Sequence, residues 1–284
     1  MNIGFIGLGH LGKAVAGRLI ECDHSLVVYN RSPGKAEGLK AEIATSPAEI
    51  ISKAEIIFVC LFDSAAVREV LTGSDGLLSA NDLSGKIIVD LTTNHYSEVP
   101  AFHDMCRSAG GDYLEAPVLG SVVPATQGKL TVLVSGRTIA YERVQAILQD
   151  IGSNIFYLPA PALATKMKLI NNLVLGTFMA TLAEATALGE KAGISKKDIL
   201  EILSVGGGSS LVLNAKKTKL LEEDFSTHFS CALIAKDLHC LLDLANSLQK
   251  PLFTGAMVKQ LYSRTFEEDI AEEDFSAIYK IFKK

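Results

Sequence analysis

The sequence predicts an α/β fold: a doubly wound parallel sheet in the N-terminal half, followed by an all-helical C-terminal domain. Two observations carry this expectation. Through the first half, short runs rich in Ile, Val and Leu alternate with helical patterns, as strands buried on both faces and separated by crossover helices require. From about Ala164 the strand signal fades and helical periodicity takes over.

Taken in order, the strands are Asn2–Ile6, Ser25–Tyr29, Ile56–Leu61, Ile87–Asp90 and Lys129–Val134, with helical segments at Gly12–Cys22, Pro33–Lys40, Pro47–Ser52 and Ala65–Leu71. Lys166–Lys191 reads as one helix, about 40 Å long at a rise of roughly 1.5 Å per residue. Gly193 ends it, and Ser195 with Asp198 forms a capping-box pattern for the next helix. The run Gly206-Gly207-Gly208-Ser209-Ser210 interrupts, and helices resume at Asp237–Leu248 and Ala256–Phe266. The expected division is therefore 1–161 and 162–284, joined by the long helix, with the cleft between them as the default site.

At 284 residues, 48% hydrophobic and 21% charged, the chain has the balance of a folded protein able to bury a core. A net charge of −5 argues against nucleic-acid partners, which select a basic face. The apolar start, MNIGFIGLGHLGKAV, lacks the basic n-region of a signal peptide and is broken by glycines. Leu169–Ala183 carries Asn171, Asn172 and Gly176 and is too short to span a bilayer, so no membrane partner is expected. The five cysteines form neither a C-x-x-C pair nor metal-ligand spacing, which fits a reducing cytoplasm and no metal site.

Gly7-Leu8-Gly9-His10-Leu11-Gly12 is a G-x-G-x-x-G that follows the first strand and opens the first helix. The first glycine permits a tight turn, the second admits a pyrophosphate, and the third lets helix and strand approach. Helix N–H groups receive the anionic charge. In this position the motif marks a Rossmann dinucleotide site. The end of the second strand then sets cofactor choice. An NAD site places a carboxylate there for the ribose hydroxyls, whereas this chain has Tyr29-Asn30-Arg31-Ser32 and then Lys35. Arg31, with donors from Ser32 and Lys35, suits a 2′-phosphate, so NADP(H) is expected in preference to NAD(H). The bland alternative is a solvated loop arginine.

Lys168 and Asn172 lie four apart on the long helix and share one face. An ammonium can protonate a carbonyl oxygen as hydride arrives at its carbon, and an amide can fix that oxygen or the lysine. Lys166 falls about 200° away around the helix and faces elsewhere. By spacing alone, a solvated Lys/Asn pair on a helix surface is the favoured reading of these residues.

The whole chain resembles the β-hydroxyacid dehydrogenase family, which includes 3-hydroxyisobutyrate dehydrogenase and glyoxylate/succinic semialdehyde reductase. The matching blocks, in order, are Gly7–Gly12, Asp90-Leu91-Thr92-Thr93, Glu115-Ala116-Pro117-Val118-Leu119-Gly120-Ser121, Lys168-Leu169-Ile170-Asn171-Asn172 and Lys236-Asp237-Leu238. Tyr29–Ser32 with Lys35, and the tail Glu273-Asp274-Phe275-Ser276-Ala277, most resemble the glyoxylate/succinic semialdehyde reductase branch. The resemblance implies a helical domain like the C-terminal domain of 6-phosphogluconate dehydrogenase, and a homodimer or homotetramer. It makes Lys168 the catalytic acid/base and Asn172 its helper. Thr93 and Leu61 would border the cofactor, Gly120 and Ser121 would receive a substrate carboxylate, and Phe229, Lys236 and Asp237 would approach cofactor and substrate. His10 joins the cofactor loop; His10, His95 and His239 receive no catalytic role. Leu119 stands where the family has serine, removing a hydroxyl from the carboxylate loop. Ala162 and Ala164 stand where glycines are usual.

The expected function is therefore NADP(H)-dependent reduction of a small aldehyde acid such as glyoxylate or succinic semialdehyde. An NAD-dependent 3-hydroxyisobutyrate-type dehydrogenase is the first rival, and Arg31 speaks against it. A 6-phosphogluconate dehydrogenase would carry histidine where Asn171 stands and a larger helical domain, and imine reductases usually replace the lysine. A protein that binds NADP without catalysis is the rival of another class, and Leu119 is its best support.

Overall fold

The computed structural model describes residues 2–80 and 82–283. It divides into two compact units, Met1–Lys168 and Leu169–Lys284. The first unit contains β1 (Asn2–Ile6), α1 (His10–Glu21), β2 (Ser25–Tyr29), β3 (Glu42–Ile43), α2 (Pro47–Lys53), β4 (Ile56–Val59), α3 (Ser64–Thr72), β5 (Ile87–Asp90) and α4 (Val99–Ser108). It continues through β6 (Asp112–Glu115), β7 (Val118–Leu119), α5 (Val122–Thr126), β8 (Leu130–Val134), α6 (Thr138–Ile151) and β9 (Gly152–Tyr157).

Six strands form one parallel sheet in the order β3-β2-β1-β4-β5-β6. The order reverses between β1 and β4, and the carboxyl ends of strands at such a point form the crevice where α/β proteins bind ligands. Alternation along each strand feeds two cores. Ile3 and Phe5 of β1, Phe58 of β4 and Val89 of β5 join one apolar cluster with α1 and α6. Ile6, Ile57, Val59 and Ile88 join the other, with α2, α3 and α4. This two-sided burial makes the strands read as unbroken apolar runs.

Two expectations need correction here. Lys129–Val134 does not extend the parallel sheet. As β8 it centres a separate three-stranded sheet, antiparallel to β7 and parallel to β9. The β7–β8 connection, residues 120–129, is shorter than the dozen or more residues a parallel crossover needs. Pro33–Lys40 forms only a 3-10 turn, Pro33–Ala36, because Gly34 and Gly38 weaken any longer helix.

The helical half comprises α7 (Leu163–Lys191), α8 (Lys196–Val205), α9 (Leu211–Glu222), α10 (Cys231–Ser247), α11 (Phe253–Glu267) and α12 (Tyr279–Lys283). The Ser195 hydroxyl caps α8, accepting from Asp198 N at 3.1 Å. The long helix α7 begins three residues earlier than its periodicity suggests and passes from the first unit into the second. Thr165, Lys168, Asn172, Gly176, Met179 and Ala183, at steps of three and four, lie buried along one face. In the second unit that face packs closely: a Cβ built on Gly176 would stand 3.4 Å from Leu238 Cδ1 and 3.5 Å from Ile234 Cγ1. No helix of the described residues is long and apolar enough to cross a membrane.

Candidate functional site

The glycine loop follows β1 at the switch point. Gly7 holds φ +97°, a conformation that favours glycine, and a Cβ there would stand 2.2 Å from Cys60 O. A Cβ on Gly12 would stand 2.0 Å from Gly7 O, so this glycine is needed for α1 to approach the loop. Gly9 is different: a Cβ on it would meet nothing within 4 Å. As the N-cap of α1 it offers no side-chain acceptor, and the first turn carries no acidic residue. A row of helix N–H groups beside open space fits a pyrophosphate. Leu8 is buried and its N–H donates to Asn30 Oδ1 at 2.8 Å, while Leu11 is half-buried and His10 is exposed.

Asn30 therefore ties the loop to the end of β2, its Nδ2 also donating to Ser32 O at 3.0 Å. Beyond it, Arg31, Ser32 and Lys35 are exposed, and their side chains make no hydrogen bond or ion pair among the described residues. Three uncommitted donors stand just past the strand that ordinarily supplies an acid. They fit a 2′-phosphate.

At the end of β4 the Leu61 N–H donates to Thr92 Oγ1 at 3.0 Å. The loop after β5 is built on Asp90, whose carboxylate accepts from Thr92 N (2.9 Å), Asn94 Nδ2 (2.7 Å) and Tyr113 OH (2.5 Å). Burial pushes the Asp90 carboxyl above its usual range despite these donors. Thr93, half-buried, sits in this fixed turn.

Lys168 is 7% exposed, in the second turn of α7, and the start of that helix is fully hydrogen-bonded. Its N-cap residue, Ala162, holds φ +68° and has no side-chain acceptor. Glu115, fully buried at the end of β6, does the capping from elsewhere. One carboxylate oxygen accepts from Ala162 N, and the other accepts from Thr165 N at 2.9 Å. Ser135 Oγ accepts from Ala164 N at 2.9 Å, and Ala160 O accepts from Leu163 N at 3.3 Å. Each N–H of the first turn thus has a partner. Lys166 instead lies over the Tyr96 ring, 5.9 Å from its centroid.

Leu119 is half-buried in β7, opposite Thr131. Gly120 follows at φ +120°, and the Ser121 hydroxyl makes no hydrogen bond among the described residues.

In the second unit Asn172 is fully buried, its Nδ2 donating to Asp237 Oδ2 at 2.6 Å. Lys236 Nζ lies 2.9 Å from the other Asp237 oxygen, so three of the expected residues form one chain. Phe229 belongs to a different cluster. Its N–H donates to buried Asp274 at 3.3 Å, and its ring meets Phe275 edge-on at 5.7 Å. Asp274 also pairs with buried Lys216 at 2.8 Å and accepts from Ser276 Oγ at 2.7 Å.

Residues 2–158 match the family model described as the NAD binding domain of 6-phosphogluconate dehydrogenase. Residues 163–282 match that described as NAD-binding of NADP-dependent 3-hydroxyisobutyrate dehydrogenase. The chain belongs to the β-hydroxyacid dehydrogenase family. Among solved structures, a 3-hydroxyisobutyrate dehydrogenase of Salmonella typhimurium is 26% identical with a TM-score of 0.90, over 99% of this chain and 100% of that one. Psf3, solved with NADP+ and 2-OPP, is 27% identical with a TM-score of 0.90, over 98% and 99%. The cytokine-like nuclear factor N-PAC of Mus musculus is 34% identical over 99% of this chain and 51% of its own length. The chain spans about half the length of the curated relatives it matches.

For a β-hydroxyacid dehydrogenase, the first unit gathers the glycine loop with Asn30 and fixes the helix that carries Lys168. The second unit joins Asn172, Asp237 and Lys236. Glu115, Ser135, Asp90, Lys216 and Asp274 escaped the sequence reading as site builders. Glu115, Asp90 and Asp274 lay inside blocks that matched the family, but an acid in a block does not disclose which backbone groups it will meet.

Proposed function

We propose that this chain is an NADP(H)-dependent oxidoreductase that reduces a small aldehyde acid to the hydroxy acid, with Lys168 as proton donor. One observation carries the reading. A lysine at 7% exposure shares the buried face of α7 with Asn172, in a chain whose first unit presents an uncapped, open glycine loop. Burial holds an ammonium away from bulk water, where its proton can be directed to one acceptor.

When bound, the nicotinamide supplies hydride. Lys168 Nζ gives a proton to the carbonyl oxygen as negative charge grows there, and solvent later restores it. Asn172 commits its Nδ2 to Asp237, and its Oδ1, which accepts from Asn171 Nδ2 at 3.2 Å, keeps a second lone pair able to orient an ammonium one helical turn away. Arg31 with Ser32 and Lys35 favours NADP(H), since nothing in the described chain competes for their donors. Ser121 and the backbone at Gly120 would take the substrate carboxylate, with Leu119 adding an apolar wall. An exposed apolar stripe on α7, formed by Leu163, Met167, Ile170, Val174 and Phe178, suits a second copy of the chain, giving a homodimer or a larger homo-oligomer.

The test follows NADPH absorbance over glyoxylate, succinic semialdehyde, methylmalonate semialdehyde and tartronate semialdehyde. Lys168→Ala should lower kcat at least about a hundredfold, within the span general acids contribute, while NADPH affinity stays within about twofold. Equal turnover by the variant sinks the assignment. A second reading, cofactor binding without turnover, draws on Leu119 and on the nuclear-factor name of the curated relatives. It gains if the wild type binds NADPH tightly and turns over none of the four. Five free thiols suit a reducing compartment, either the cytoplasm or the nucleus that the relatives' name suggests.

A further inference from the structure

The fully buried acid at the end of β6 is not accounted for by cofactor binding or by proton donation, yet both its oxygens are committed. We propose that Glu115 is a positioning residue for Lys168, fixing the start of α7 so that the lysine is presented at one depth and angle. This rests on the reading of Lys168 as the proton donor.

Three observations support it. First, Glu115 replaces a missing cap. Ala162 occupies the N-cap position without a side-chain acceptor, and the Thr165 N–H, which an N-cap side chain would ordinarily serve, goes to Glu115 instead. Second, Ala162 is held at φ +68°, where an alanine is strained and a glycine is not. Its N–H is the group that Glu115 grips, so the carboxylate stabilises the one backbone turn from which the helix direction is set. Third, the gripping residue is itself immobile. Glu115 and Ser135 pair backbone to backbone in both directions, at 3.1 and 2.9 Å, so the two capping side chains arrive side by side from β6 and β8. His103 of α4 closes the remaining side, its Nε2 3.7 Å from Glu115 Oε1.

Lys168 follows Thr165 by three residues, one turn, on the same buried face. A rigid rod transmits any change at its base directly to a side chain one turn above it. Proton donation is sensitive to placement at the ångström scale, so a loosened base should reduce turnover while leaving the glycine loop alone.

The experiment uses Glu115→Gln, which keeps size but turns a donor toward an N–H, and the double variant Glu115→Gln with Ala162→Gly. Four quantities are read: kcat and KM for an aldehyde acid, NADPH affinity, amide exchange across residues 162–168, and acylation of Lys168 relative to exposed Lys250. In Glu115→Gln, kcat should fall about tenfold or more, with KM and NADPH affinity within about twofold. Exchange and Lys168 labelling should rise severalfold. Glycine at 162 needs no grip to hold its turn, so the double variant should recover at least about a third of the lost kcat. The idea is overturned if kcat stays within twofold, if kcat falls while exchange and labelling are unchanged, or if the glycine restores nothing. Should Glu115→Gln not fold, Ser135→Ala, which removes only the Ala164 acceptor, is read in the same way. A wild type without turnover would refute the proposed reaction, and exchange and labelling would still decide whether Glu115 fixes the lysine.

Discussion

The glycine loop makes a prediction that separates ligand space from structural space. Gly9 holds φ −65° and ψ −175°, a conformation open to any residue, and a Cβ there meets no heavy atom within 4 Å. Gly9→Ala should therefore alter stability only through N-cap preference, about 1 kcal/mol or less, which is a few degrees in Tm for a protein of this size. Gly12→Ala places its Cβ 2.0 Å from Gly7 O, a backbone atom that cannot swing aside. Helix and loop must separate, at a cost of about 3 kcal/mol by analogy with overpacked cores. If the space beside Gly9 belongs to a pyrophosphate, Gly9→Ala should nevertheless weaken NADPH binding by at least about tenfold, or 1.4 kcal/mol. Thermal unfolding and titration calorimetry, run on both variants, give the two numbers. Gly9→Ala binding NADPH as tightly as wild type would refute the reasoning, as would a loss of stability equal to that of Gly12→Ala.

Other consequences follow from the same geometry. Arg31→Ala with Lys35→Ala should lower NADPH affinity at least about tenfold, since charge-assisted bonds to phosphate are among the strong ones, and leave NADH affinity nearly unchanged; equal losses for both cofactors would place those donors elsewhere. In the Asp274 cluster, burial alone would raise the carboxyl, but the Lys216 ammonium and the Ser276 donors outweigh it and hold Asp274 below the usual range. A carboxyl depressed in the folded state stabilises above its unfolded pKa, about 3.9, and loses that contribution as pH falls through the folded value. Lys216, though lowered by burial, stays protonated in both states there. Tm should accordingly drop less steeply as pH falls below about 4, the unfolded pKa, in Asp274→Asn than in wild type, and parallel slopes would count against the pair. Phe178→Glu, in the middle of the exposed α7 stripe, should shift sedimentation toward monomer without changing Tm by more than a few degrees, because the side chain is 46% exposed.

Several of these features could be read from residue order alone. Periodicity located β1, β2 and β5 to the residue, because strands buried on both faces leave continuous apolar runs. It also found the long helix and the spacing that puts Lys168 and Asn172 on one face. The glycine motif and the missing acid after Tyr29 are local chemistry, and local chemistry is written in order along the chain. β6 and β9 went unread because Asp112–Glu115 and Gly152–Tyr157 mix polar and apolar residues at sheet margins. The helix α9 was missed because its apolar residues form no stripe.

Lys168 illustrates the division. Its residue type, its helix and its alignment with Asn172 were determined by the sequence. Whether that shared face would be wet or buried was not, since a lysine and an asparagine four apart serve a solvated helix equally well. Tertiary structure decided it, burying Asn172 against Asp237, and it brought Glu115 and Ser135, from the two strand ends β6 and β8, to the base of α7. Those contacts join residues 29 to 50 positions apart in the chain, and no short-range pattern encodes which backbone N–H a distant carboxylate will find. The energy of satisfying a buried helix end is set in three dimensions, so the site that depends on it is as well.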